Sequence, residues 1–242
     1  MHPLQTAYRK ARKATKAVVH RAIAPLAIRA FRARAAACED AKSALNLAYS
    51  FNYGAIRISP FQIRSEITAF LDMMAALAPR VIMEVGTANG GSLFLLTRVA
   101  APDALLISID LPGGRFGGGY PEWKGPLFRA FARPGQEIVL IRANSHDPAT
   151  AARVSTLLEG KEVDLLFIDG DHSYDGVKSD FEMYSPLVRT GGIVAFHDIV
   201  TGPESDVGGV PRFWRELKAT SRAWEIVADW SQGGYGIGYT TS

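Results

Sequence analysis

The densest chemistry in this 242-residue chain lies in two short strings, Asp169-Gly170-Asp171-His172-Ser173-Tyr174 and His197-Asp198. Carboxylates beside imidazoles suit a divalent cation, and an oxygen-rich set favours magnesium or manganese. Asp169, His197 and Asp198 are the candidate metal ligands. His172 is the candidate general base, since an ordinary imidazole titrates near ~6.5 and takes a proton from a nearby hydroxyl. His172 and Asp169 together form the candidate catalytic pair. Plainer roles exist for the same residues: Asp171 as a helix cap, His197 as a structural hydrogen-bonding group.

A third string, Glu84-Val85-Gly86-Thr87-Ala88-Asn89-Gly90-Gly91-Ser92, follows an apolar run and opens a helical one. Glycines there let the chain turn tightly and let a ligand approach the backbone. The spacing Gly-x-x-x-Gly-Gly is neither the dinucleotide fingerprint nor the phosphate loop. Glu84 would repel a pyrophosphate and suits a ligand with a cationic amine and a sulfonium. An ordinary strand-to-helix turn is the alternative. The candidate ligand contacts here are Glu84, Gly86, Thr87, Ala88, Gly90 and Ser92. Asp110, 24 residues after Gly86, ends the next apolar run with Leu111 beyond it, and its carboxylate suits a ribose diol. Ser145 and His146 follow a further run and would meet an adenine edge or form an Asx turn.

The elements that must position these groups are short and β-branched: Val81 to Val85, Leu105 to Ile109, Glu137 to Ile141, Val163 to Ile168 and Gly192 to Phe196. Such runs suit strands buried on both faces. Helical stretches intervene, including Ser92 to Ala100 and Gly176 to Val188. An earlier stripe, Ile63, Ile67, Phe70, Leu71, Met74 and Leu77, ends before Pro79. Trp224 to Val227 and Tyr235 to Tyr239 read as an antiparallel pair around Gly233 and Gly234. The expected fold is α/β: a Rossmann-like three-layer sandwich with a mostly parallel seven-stranded sheet, an antiparallel C-terminal hairpin and helices before it. Ligands of such sheets bind at the carboxyl ends of the strands, where all of these strings fall. Two glycine-containing segments are expected to close on substrate. Leu111 to Gly125 carries Arg115, Phe116, Tyr120 and Trp123; Thr201 to Phe213 carries Glu204 and Asp206.

Charge divides the chain unevenly. Residues 1–37 hold nine Lys and Arg and no acid, leaving 18 basic residues against all 24 acids in the remainder, a net of −6. The expected division is a basic helical extension over 1–58 and a ligand-binding domain over 59–242. Leu4, Ala7, Tyr8, Ala11, Ala14, Val18 and Ala22 recur at helical spacing, with Arg9, Lys13, Lys16 and His20 largely off that stripe. Pro25 is expected to break or kink this helix, with Leu26 to Ala37 as a second piece. The leader reads as a helix packed on its own domain or on a partner subunit, as a membrane-surface helix, or as a targeting segment. A homo-oligomer is compatible with the subunit reading. An acidic main domain does not suggest nucleic-acid binding. The single cysteine, Cys38, excludes an internal disulfide and a cysteine-based zinc site and suits a reducing cytoplasm. No run of ~18 apolar residues is present.

Taken together, these strings resemble the cation-dependent, catechol-type O-methyltransferases within the class I S-adenosylmethionine-dependent methyltransferases. They also resemble a related bacterial group that includes cephalosporin-hydroxylase-like proteins. The resemblance covers roughly residues 60–240. It implies that S-adenosylmethionine binds with Glu84, Gly86 and Ser92 around its methionine portion, Asp110 on its ribose, and Ser145 and His146 at its adenine. It implies Asp169 as the first metal-binding aspartate. His172 falls where the catechol enzymes place a catalytic lysine, and His197-Asp198 stands in place of their Asp-Asn pair. The implied activity is O-methylation of a small hydroxylated acceptor (a sugar, a phenol or another natural product), assisted by a divalent cation such as Mg2+. The competing expectations are a nicotinamide-dependent oxidoreductase, which the glycine spacing disfavours, and a cofactor-binding protein without catalysis.

Overall fold

A computed structural model describes the backbone of residues 3–113 and 119–242, and side chains from residue 18 onward within those spans. The helices are α1 (Pro3–Ala36), α2 (Ala41–Ser50), α3 (Arg64–Leu77), α4 (Gly91–Val99), α5 (Gly125–Arg129), α6 (Pro148–Leu158), α7 (Tyr174–Tyr184), α8 (Glu204–Val207) and α9 (Val210–Thr220). The main sheet contains β1 (Val81–Val85), β2 (Leu105–Ile109), β3 (Glu137–Ile141), β4 (Val163–Ile168), β5 (Val188–His197), β6 (Ala223–Ile226) and β7 (Ile237–Thr241). A two-residue-per-strand hairpin, Asn52–Tyr53 with Ile56–Arg57, precedes α3.

The strand order is β3-β2-β1-β4-β5-β7-β6, parallel through β5 and antiparallel at β7 and β6. Side chains alternate across the sheet. Ile82, Leu106, Leu165 and Phe167 join one apolar cluster with Phe70, Phe94 and Phe131. Met83, Ile107, Leu166 and Ile168 join another with Val154, Val177 and Trp214. Helices therefore cover both faces, as expected for three layers. The first cluster also takes in Phe31, Leu45, Phe51 and Ile58 from the segment before α3.

Register places the site. Val85 pairs with Ile109 and with Ile168, Ile109 with Ile141, and Ile168 with Phe196. Five strands thus end level to within a residue, and the loops beginning at residues 86, 110, 142, 169 and 198 emerge along one rim.

Four expectations about elements change. The fifth strand begins at Val188 rather than Gly192; a register shift against β4 absorbs the polar Arg189-Thr190-Gly191-Gly192. Helix α7 stops at Tyr184, and Pro186 lies in a 3-10 turn over Ser185–Leu187. The tail strands pair antiparallel as expected, but β7 starts at Ile237, and it lies between β5 and β6. Pro25 does not divide α1, which runs through it. Pro25 is on the exposed side, where water can satisfy the carbonyl left without a partner. No helix among the described residues is long and apolar enough to cross a membrane. Arg115 and Phe116, and the side chains of Leu4, Ala7, Tyr8, Arg9, Ala11, Lys13, Ala14 and Lys16, lie outside the described residues.

Candidate active site

The level strand ends surround a cavity of about 550 Å³. One wall is built by the turn after β1. Gly86 takes φ +102, and a Cβ there would lie 1.9 Å from the Asp169 carbonyl oxygen, so only glycine lets the β1 and β4 loops approach. Ala88 also takes a left-handed φ of 44. Its backbone N–H donates to Asp110 Oδ2 at 2.7 Å, and the Gly119 N–H donates to Oδ1 at 2.7 Å. Burial raises the Asp110 carboxyl above its ordinary range, and these N–H groups oppose the rise. The carboxylate lines the cavity with these N–H groups fixing its orientation.

Of the expected ligand contacts, Gly86, Ala88, Asp110, Leu111, Ser145, His146 and Asp169 line the cavity, whereas Glu84, Thr87, Gly90 and Ser92 do not. Those four lie in or under the loop. Glu84 is buried and accepts from Ser92 Oγ at 2.5 Å and Ser108 Oγ at 2.6 Å. Thr87 Oγ1 lies 2.6 Å from Ser108 Oγ. Burial pushes the Glu84 carboxyl up to about 7. This network shapes the loop from beneath. Ser145 and His146 are braced by α7: Tyr184 donates to the Ser145 carbonyl at 2.6 Å, and His146 Nε2 lies 3.3 Å from the buried Asp180. The Asx turn is present as well, with the His146 N–H donating to Asn144.

At the other end, Asp169, His172 and Asp198 present ligand atoms all within 4.8 Å of one another. Among the described residues these three form a group whose donor atoms gather closely enough to hold an ion, and His197, expected as a ligand, lies directly beside it. His197 is 3% exposed and directs Nδ1 at both carboxylates, 3.2 Å from Asp169 and 3.3 Å from Asp198. Burial opposes its charge, yet those two carboxylates hold its pKa well above the ordinary value. The same contest leaves His172 at about 9 and holds Asp169 well below the usual carboxylate range. Before any ligand arrives, His172 therefore carries a proton at neutral pH. Its Nδ1 lies 2.5 Å from the Asp206 carbonyl oxygen and its Nε2 3.5 Å from Asp169 Oδ1. A proton donated to that carbonyl leaves Nε2 as the nitrogen that exchanges one. Asp198 is fixed in a left-handed conformation, φ 62, and accepts from the Tyr235 N–H at 3.0 Å.

Several site groups carry no local sequence signal. Gln62 Nε2 donates to Asp169 Oδ2 at 2.6 Å across 107 positions. Phe61, Gly233, Gly234 and Tyr235 also line the cavity. Tyr235 is delivered by a loop that Glu66 of α3 holds: its carboxylate accepts from the N–H groups of Ala228 and Gly236 and from Gln232 Nε2. Of the two segments expected to close on substrate, the second supplies Ser205, Asp206 and Val207 to the cavity. In the first, Tyr120 is buried against Phe128 and Trp123 packs against His20, so neither faces the cavity. Asp171 forms a turn with the Ser173 N–H, and Ser173 itself caps α7.

Residues 83–199 match a protein-family model, Methyltransf_24, described as a methyltransferase domain. That match spans just under half of the chain. A 151-residue stretch is 32% identical to the uncharacterized protein y4gI of Sinorhizobium fredii (strain NBRC 101917 / NGR234), over 61% of this chain and 16% of that protein. The chain thus spans a small part of that curated relative. Among solved structures, the O-methyltransferase from Bacillus cereus in complex with SAH matches at 19% identity and TM-score 0.51, over 85% of this chain and 92% of that one. TomG from Streptomyces achromogenes, an O-methyltransferase involved in tomaymycin synthesis and solved with SAM, matches at 21% identity and TM-score 0.51, over 85% and 91%. At these identities the likeness establishes the fold alone, a Rossmann-like fold shared with these solved O-methyltransferases. The segment matched by the family model contains the glycine loop, Asp110 and the Asp169–Asp198 cluster. Gln62, Glu66 and the Ser205–Val207 and Gly233–Tyr235 walls lie outside it.

Proposed function

We propose that the chain transfers a methyl group from S-adenosylmethionine to an oxygen of a small hydroxylated acceptor. The observation that carries this reading is the placement of Asp110 and the Asp169–His172–Asp198 cluster on one cavity, at opposite ends of a row of level strand termini. The solved O-methyltransferases of the same fold were crystallised with SAM or SAH.

The cofactor supplies a methyl group already activated by its sulfonium. The protein's task is positioning and exclusion of water. Asp110 holds the ribose end, and the Gly86–Ala88 backbone lies along the ligand. Ser145 and His146 border the adenine end. His172 borders the acceptor end; its Nε2, protonated at neutral pH beside Asp169, takes the acceptor's proton only after losing its own, and binding a cation there is the alternative role. Asp169, His172 and Asp198 also fit a divalent cation, two carboxylates and one imidazole being a suitable donor set. A cation held there would lower the pKa of an acceptor oxygen.

The test is transfer of labelled methyl from S-adenosylmethionine to a panel of phenols, sugars and other hydroxylated metabolites, with and without added Mg2+ or Mn2+. His172→Ala is expected to slow transfer by about a hundredfold or more while leaving S-adenosylhomocysteine affinity nearly unchanged. Loss of that affinity in the variant would contradict the proton-transfer role.

A further inference from the structure

Helix α1 packs on the domain with one side only. Ala24, Ala27, Phe31 and Ala35, spaced three and four apart, are buried. The opposite side exposes Val18 (69%), Val19 (51%) and Leu26 (55%) beside the exposed Arg21, Arg29 and Arg32. Val18 and Ala22, the last two members of the apolar stripe that begins at Leu4, are both exposed. That end of the stripe therefore does not face the protein's own core. This surface lies outside the segment that matches the methyltransferase family.

We propose that this outward face of α1 docks on an anionic lipid surface. Charge selects the occupant. Residues 1–37 carry nine Lys and Arg and no acid, so setting two copies of this face together brings like charges into contact. An anionic bilayer offers a negative plane to the arginines and an apolar boundary to Val18, Val19 and Leu26. Arginine side chains reach back to the headgroups while the aliphatic residues enter. With 34 residues α1 is roughly 51 Å long, and a helix lying in the interface plane would bring many of its charges near the surface.

Sedimentation of the full chain with vesicles decides the matter, comparing phosphatidylcholine alone with phosphatidylcholine mixed with phosphatidylglycerol. The expected result is salt-sensitive binding to the mixed vesicles only. Replacing Arg21, Arg29 and Arg32 together by Gln should weaken it about a hundredfold, at about fivefold per charge. Leu26→Asp should weaken it with every basic residue still present. All four positions are exposed, and unchanged circular dichroism would show that the fold is kept. Equal binding to both vesicle types, binding to neither, or indifference to both variants would overturn the proposal. So would a dimer in light scattering that Leu26→Asp dissociates, without vesicle binding, since a second copy would then own the face.

Discussion

Glu84 shows how a residue chosen for chemistry can serve as architecture. Its position at the end of β1 suggested a ligand carboxylate, but its oxygens are taken by Ser92 and Ser108 under the glycine loop. Burial without a cation raises its pKa from 4.5 to about 7. The sign of the stability effect follows. Below pH 4.5 the group is protonated in both folded and unfolded chains. Between 4.5 and 7 the unfolded chain releases the proton first, so stability falls as pH rises; above 7 the cost is complete. A shift of this size corresponds to about 3 kcal/mol. Urea unfolding across that range should show wild-type stability declining relative to Glu84→Gln by that order. Parallel pH profiles would mean that Glu84 is not held this way.

Elements differ in how plainly they announce themselves. The first four strands match the sequence expectation end to end because each is a short aliphatic run, buried on both faces in β1, β2 and β4 and more on one face at the edge strand β3. The fifth was partly hidden because its first residues form a polar irregularity. Asp169, His172 and Asp198 were legible because each sits at a strand end or just beyond it. That both imidazoles, His172 and His197, converge on the same two carboxylates was not, because it depends on how the β4 loop folds back over β5. Gln62 and Glu66 were invisible for a different reason: their partners lie more than a hundred positions away. Glu66 yields a prediction at this scale. Three hydrogen bonds tie its carboxylate to the 228–236 segment, and removing them exposes or orphans their donors. Glu66→Ala should speed amide exchange at Ala228 and Gly236 by more than tenfold while exchange in β1 and β4 stays slow. Unchanged exchange at those two positions would show that the loop is held by other contacts.

At the scale of the whole molecule, one sheet aligns two unlike ends of a cavity. The β1 and β2 termini form the end proposed for the nucleoside, and the β4 and β5 termini form the acid and histidine end. The segments outside the family match, the 205–207 region and the 233–235 loop, line the acid and histidine end; under the proposed function they would select the acceptor. If this cavity is shaped for a sulfonium nucleoside, calorimetric titration with S-adenosylhomocysteine will register it. The wild-type chain should bind one equivalent saturably. Asp110→Ala should lose about 10- to 100-fold in affinity, as expected for removing a charged partner of a ribose diol. A chain that ignores S-adenosylhomocysteine and binds NAD tightly would contradict the account, as would an Asp110→Ala variant with wild-type affinity.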